Sequence, residues 1–105
     1  GRRLRMVGRQ MVLEGCGRLD LLAEDLDSGD LVVIEVKRGL GSDQVVGQIT
    51  RYMGWVKKHL ANDRKVRGTI VASAADERLV YSVQNVPDVT ILTYTDHGLT
   101  FREIR

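Results

Sequence analysis

The chain is poor in cysteine, proline and aromatics: one Cys, one Pro, one Trp, one Phe and three Tyr among 105 residues. The lone Cys16 excludes an internal disulfide, suits a reducing cytoplasm, and reads as an ordinary small residue near a turn. No stretch approaches the ~20 apolar residues that cross a membrane, so the expected setting is cytoplasmic, with no membrane partner. No secretory signal pattern is visible. There is no repeat, low-complexity tract or linker, and the length reads as one domain with one core. A composition of 43% hydrophobic and 29% charged residues is that of a globular rather than a disordered chain.

A dominant charge sign is also lacking. Sixteen Lys and Arg against 14 Asp and Glu leave +2, which permits nucleic-acid binding without arguing for it. Arg2, Arg3, Arg5, Arg9 and Arg18 crowd the first strands, while Glu24, Asp25, Asp27 and Asp30 gather at one turn. The pattern reads either as a positive face with a negative edge or as scattered solvated charge. His59 and His97 have no zinc-ligand spacing and read as surface residues.

What is present is alternating periodicity. Leu4 to Leu13 reads as a strand, Glu14 to Gly17 as a turn, and Arg18 to Leu26 as a second strand. Asp27-Ser-Gly-Asp30 is a hairpin turn of the Asp/Gly type. Leu31 to Lys37 is a third strand, whose near-continuous apolar run implies burial on both faces. Arg38-Gly-Leu-Gly41 breaks the pattern. Ser42 is the expected N-cap of a helix over Asp43 to Leu60, with Asp43 in its first turn. Val45, Ile49, Tyr52, Val56 and Leu60 form its apolar stripe. Gly47 and Gly54 share one side and are expected to allow close packing on the sheet. Val66 to Ser73 is a fourth strand, reached by a crossover that implies parallel pairing. A short helix over Ala75 to Asn85, then strands over Val89 to Tyr94 and Leu99 to Ile104, complete the chain, with Asp96-His-Gly98 as the last turn. The order β-β-β-α-β-α-β-β is α/β: a mixed sheet of about five to six strands with one long and one short helix.

Three charges interrupt the apolar strands: Asp20, Glu35 and Lys37. Charges rarely sit among Val, Ile and Leu unless paired or bound to metal. Alternation puts Glu35 and Lys37 on one face. A two-residue Ser28-Gly29 loop pairs Asp27 with Asp30 and, counted back, Asp20 with Lys37, leaving Asp20 diagonal to Glu35. Two carboxylates so close repel unless a cation lies between them. Mg²⁺ or Mn²⁺ suits an all-oxygen site, and the Val36 carbonyl is a further available ligand. Lys37 can then orient or deprotonate a water, or offset charge in phosphodiester hydrolysis. The plain alternative is a structural Lys37–Asp20 ion pair. On the helix, Gln48 and Tyr52 stack one turn apart beside this site. Gln48 can bond a metal-bound water or a phosphate; Tyr52 can do the same or fill core. Trp55 lies off the stripe and either covers core, mediates a dimer contact or stacks a base. Arg18, Arg38 and Arg51 are candidates for nucleic-acid phosphates, and so is Lys57.

The ordered set Gly17-Arg-Leu-Asp-Leu-Leu22, Ile34-Glu-Val-Lys37-Arg-Gly39 and Gln48-x-x-x-Tyr52 resembles the PD-(D/E)xK nuclease superfamily. Val46-Gly-Gln-Ile-Thr-Arg-Tyr-Met-Gly-Trp-Val56 and Val66-Arg-Gly-Thr-Ile-Val71 look like the nuclease domain of NucS/EndoMS-type endonucleases, over nearly the whole chain. The resemblance implies a restriction-endonuclease-like core and a DNA-repair endonuclease acting on structured, mismatched or single-stranded DNA. It implies Asp20 and Glu35 as ligands of Mg²⁺ or Mn²⁺, Lys37 as the catalytic lysine, and Gln48 and Tyr52 as its supporting pair. A sliding-clamp contact follows from the resemblance alone; an exposed strand edge or the Trp55 region is the expected seat of a homodimer. Two departures stand out. The helix that opens the superfamily core, often with another acid, has no counterpart in this sequence, nor has the N-terminal DNA-binding domain. Glu14 is either a substitute acid or a turn residue. Leu19 stands where the motif has Pro. Two rival readings are a nuclease-fold module that binds DNA or protein without cutting, and a structural dimerisation domain with a buried ion-pair network.

Overall fold

The structure, a computed structural model, describes residues 3–95 and 101–103. Three strands come first: β1 (Leu4–Leu13), β2 (Gly17–Asp25) and β3 (Leu31–Gly41). Helix α1 (Gln44–His59), β4 (Val66–Ala75), helix α2 (Glu77–Val83), β5 (Val89–Tyr94) and β6 (Phe101–Glu103) follow. All six strands form one sheet in sequence order. The β1–β2, β2–β3 and β5–β6 pairs are antiparallel; β3–β4 and β4–β5 are parallel. Architecture and class are those the periodicity implies.

Topology decides where the core sits. Successive crossovers of one hand, advancing in one direction, lay both helices on the same sheet face. There Val45, Ile49, Tyr52 and Val56 of α1 and Leu79 and Val83 of α2 meet Leu22, Leu31, Val33, Ile70 and Ile91. Asp76 caps α2 by accepting the Leu79 N–H at 2.7 Å. The other sheet face carries no helix among the described residues, and Leu21, Val32, Ile34, Val71, Leu92 and Tyr94 line a groove along it. The apolar run of β3 is therefore buried on both faces only at its start. Val32 and Val33 are buried, but Val36 is 41% exposed.

Several local expectations are corrected. Arg38 to Gly41 does not end β3. The strand continues to pair with Ala74 and Ala75 after a register shift between Lys37 and Leu40, where Gly39 turns at φ +77°. That extension lengthens β4 to Ala75 and shortens α2 at its start. Asp43, not Ser42, occupies the N-cap of α1; it is already helical and makes no side-chain cap. Instead the Ser42 and Asp43 carbonyls accept the Val45 and Val46 N–H groups in a tight first turn. Gly47 and Gly54 are exposed, and a Cβ on either would meet nothing within 4 Å. The close approach is at Gly68 of β4, where a Cβ would lie 2.8 Å from the Met53 sulfur and 3.0 Å from Ile49 Cδ1. The Asp96–Gly98 turn and His97 lie outside the described residues.

The acidic turn is neutralised by arginines, whereas Arg9 and Arg18 form no ion pair among the described residues and Arg2 lies outside them. Arg3 pairs with Asp27 at 2.7 Å, Arg5 and Arg64 both reach Glu24, and Arg67 bridges Asp25 and Asp30 at 2.9 and 2.8 Å.

Candidate active site

The β2–β3 hairpin sets the register of the site. Asp25 is buried, and its Oδ1 accepts the N–H groups of Asp27 and Ser28 while Oδ2 binds Arg67. This carboxylate-centred turn makes the loop longer than Ser28-Gly29: the Asp25 N–H bonds the Asp30 carbonyl, and the strands pair as Glu24↔Leu31 through Leu21↔Ile34. The continuation of that register sets Asp20 against Glu35, not against Lys37 as a two-residue loop requires.

Regular pairing stops at Leu21↔Ile34. Beyond it, carboxylates replace carbonyls as acceptors of strand N–H groups. The Asp20 N–H donates to Glu35 Oε2 at 2.9 Å, and the Val36 N–H donates to Asp20 Oδ2 at 2.8 Å. The two acids thus clip the strands together where the ladder parts, and each keeps an oxygen that engages no other described residue.

Simple alternation does not describe Asp20. Leu19 and Leu22 both lie in the helix-side core, whereas Leu21 lines the open groove. β2 therefore slips its phase by one residue at Asp20. β1 slips opposite it: Gly8 faces Leu22 and Met11 faces Leu19, and Gln10 between them has φ +47°. Asp20 consequently stands between the two faces, while Glu35, 1% exposed, points to the core side.

Burial pushes the Glu35 carboxyl above its ordinary value. The Asp20 N–H opposes this, the Asp20 charge adds to it, and the Lys37 charge works against it. Lys37 does not bridge to Asp20, which removes the plain ion-pair alternative. Its Nζ donates to Gln48 Oε1 at 3.0 Å, and Gln48 Nε2 donates to Tyr52 Oη at 3.1 Å. Tyr52 is buried in the core and ends this chain of polar groups. Gly17 admits it: at φ +145°, a Cβ there would lie 2.7 Å from the Tyr52 hydroxyl. The glycine is visible in the sequence, but its contact with the helix is not.

The remaining carboxylate oxygens of Asp20 and Glu35 are hard donors of the kind Mg²⁺ and Mn²⁺ take, so in donor type these residues fit such an ion. Among the described residues no third His, Cys, Asp or Glu joins them. Glu14 is exposed, and its backbone carbonyl accepts the Trp55 indole N–H at 3.2 Å, which makes it a turn residue. Trp55 packs against the core and stacks on His59 at 4.4 Å.

The candidate arginines scatter. Arg18 is exposed on β2 opposite Val12, and the Arg51 guanidinium lies over the Tyr52 ring at 5.4 Å. Lys57 donates to the Arg64 carbonyl and is turned from the site. Arg38 alone borders Asp20, in a cavity it shares with Arg9 and Gln10, two residues that periodicity does not single out.

The chain superposes on a repair endonuclease from Pyrococcus abyssi with TM-score 0.71 and 25% identity, over 84% of this chain and 37% of that one. An EndoMS–double-stranded DNA complex matches with TM-score 0.66 and 26% identity, over 77% and 32%. The model of the endonuclease NucS C-terminal domain matches residues 2–105, and the chain belongs to that family. It spans about a third of the solved relatives. No protein of curated function matches it. Among the described residues no helix is long and apolar enough to cross a membrane.

Proposed function

We propose that this domain is the phosphodiester-cleaving part of a DNA endonuclease of the PD-(D/E)xK kind, dependent on Mg²⁺ or Mn²⁺. The observation that carries the reading is the meeting of Asp20 and Glu35 where β2 and β3 part, with Lys37 on the same strand held by Gln48. Asp20 and Glu35 would hold the ion through their free oxygens. When bound, such an ion supplies Lewis acidity toward a phosphoryl oxygen and acidifies a water. Lys37 orients or deprotonates the attacking water and offsets charge as it builds on the phosphate. Gln48 fixes the lysine ammonium, and Tyr52 fixes the Gln48 amide. Family membership supports DNA as substrate, in mismatched, structured or single-stranded form. A homodimer and a sliding-clamp contact belong to the same reading.

One observation favours a second reading, a DNA-binding module that does not cut: no third acid stands beside Asp20 and Glu35 among the described residues. A cleavage panel across DNA structures with Mn²⁺ separates the two. We expect cleavage that Asp20→Ala and Lys37→Ala each reduce by about 10²–10³-fold. Unchanged nicking by both variants sinks the mechanism. Calorimetric Mn²⁺ binding without any cleavage establishes the second reading.

A further inference from the structure

A cavity of about 560 Å³ lies beside Asp20, lined by Arg9, Gln10, Asp20, Leu21, Val36 and Arg38. Arg9 stands opposite Leu21, and Leu21 opposite Ile34, so the cavity belongs to the face without helices, away from Gln48 and Tyr52. Its charge comes from arginines outside the ion pairs that hold Arg3, Arg5, Arg64 and Arg67; Arg18, Arg51 and Arg78 are also outside them, but they do not line this cavity. Arg9 and Arg38 are exposed and pair with no acid among the described residues, and Asp20 is the sole anion in the lining. Two uncompensated guanidinium groups above an apolar floor of Leu21 and Val36 suit a phosphate joined to a less polar body.

The backbone points the same way. Among the described residues four non-glycine positions have positive φ, and three are Asn62, Asp63 and Asp88, types that tolerate it. Gln10 is the exception and lies inside a strand. Its left-handed turn is the β1 half of the paired slip that sets Asp20 between the faces, and it leaves Gln10 on the cavity wall beside that carboxylate.

We propose that Arg9, Gln10 and Arg38 form a substrate subsite for a phosphate and sugar of the DNA strand next to the bond cut at Asp20 and Glu35, an inference that rests on the nuclease reading. The strand then lies across the open end of the sheet. Lys37 meets it from the helix side, and the two arginines hold it from the other.

The test is binding of a fluorescent duplex and a single-stranded oligonucleotide by the chain in metal-free buffer over a range of salt. Arg9→Gln/Arg38→Gln is compared with Arg3→Gln/Arg78→Gln, an equal charge change away from the cavity. The first pair is expected to weaken binding at least 10-fold and to lower the log–log salt slope by about 0.9 for each duplex phosphate the protein no longer neutralises. The control pair changes affinity less than 2-fold. Gln10→Gly, which keeps the left-handed backbone and removes the amide, is expected to bind more weakly with no fall in Tm. Equal binding by the two double variants overturns the subsite, as does a wild-type chain that binds neither oligonucleotide. Cleavage read separately isolates the two claims. A wild-type chain that binds through these arginines and never cuts keeps the subsite and discards the nuclease reading.

Discussion

Asp20 and Glu35 are joined through the backbone: the Asp20 N–H rests on a Glu35 carboxylate oxygen at 2.9 Å, and the next strand N–H, from Val36, rests on Asp20 at 2.8 Å. The two acids take the place of a pair of ladder bonds. Their separation is therefore set by strand geometry, and rotamer freedom contributes little.

The arrangement is costly without a cation. Glu35 is buried and its carboxyl is raised. A raised acid binds its proton more tightly in the folded state, so in metal-free buffer stability falls as pH climbs from about 4.5 through the folded value. Glu35→Gln should raise Tm at pH 7 and flatten its pH dependence above pH 4.5 while removing cleavage. A Tm at pH 7 below that of the wild-type chain contradicts this account.

Asp25 behaves in the opposite sense. The Arg67 bond, helped by the Asp27 N–H, lowers its carboxyl to about 2 from 3.8. Its stabilisation is complete above pH 3.8 and is lost as pH falls toward 2. Asp25→Asn should lower Tm at pH 7 and converge on the wild-type chain near pH 2. A melting series in acid measures it.

Gly17→Ala should destabilise the fold by about 1–3 kcal/mol, because a methyl group enters the space of the Tyr52 hydroxyl. The same variant should slow cleavage through Tyr52 and Gln48. Urea unfolding gives the first number, and kcat under saturating DNA gives the second. Gly15→Ala, where a Cβ meets nothing within 4 Å, controls for the removal of a glycine at positive φ.

Gln48→Ala removes the acceptor of the Lys37 ammonium and the donor to Tyr52. In the proposed mechanism Gln48 acts through Lys37, so kcat should fall about 10-fold with KM nearly unchanged, and Gln48→Glu should recover part of it. An effect confined to KM assigns Gln48 to DNA binding instead.

Most of the fold is legible in the sequence because periodicity reports it directly. The α1 stripe of Val45, Ile49, Tyr52 and Val56 is buried as spaced. Of the residues singled out, Asp20 and Glu35 are joined by strand N–H bonds, and Lys37, Gln48 and Tyr52 form a second bonded chain. The hairpin register departs from the two-residue count because the turn is organised by a buried Asp25 bound to Arg67, 42 residues away in sequence. Alternation fails at Asp20 because its slip is matched by one at Gln10 on another strand, and no local pattern in either segment reveals it. Gly39 reads as a strand end, whereas tertiary pairing with β4 carries the strand past it.

The matched slips at Gln10 and Asp20 make the lengths of two strands interdependent. Deletion of one residue from β1 alone, anywhere from Arg9 to Met11, leaves the β2 slip uncompensated. One half of β1 would then turn its groove side toward the helices. Around Asp20, single-residue insertions and deletions thus keep the facing of both strands only in pairs, whereas farther along β1 already absorbs one unmatched residue between Met6 and Gly8. Substitutions can accumulate across the sheet one at a time, but a length change beside Asp20 re-aims that carboxylate unless the facing strand changes with it.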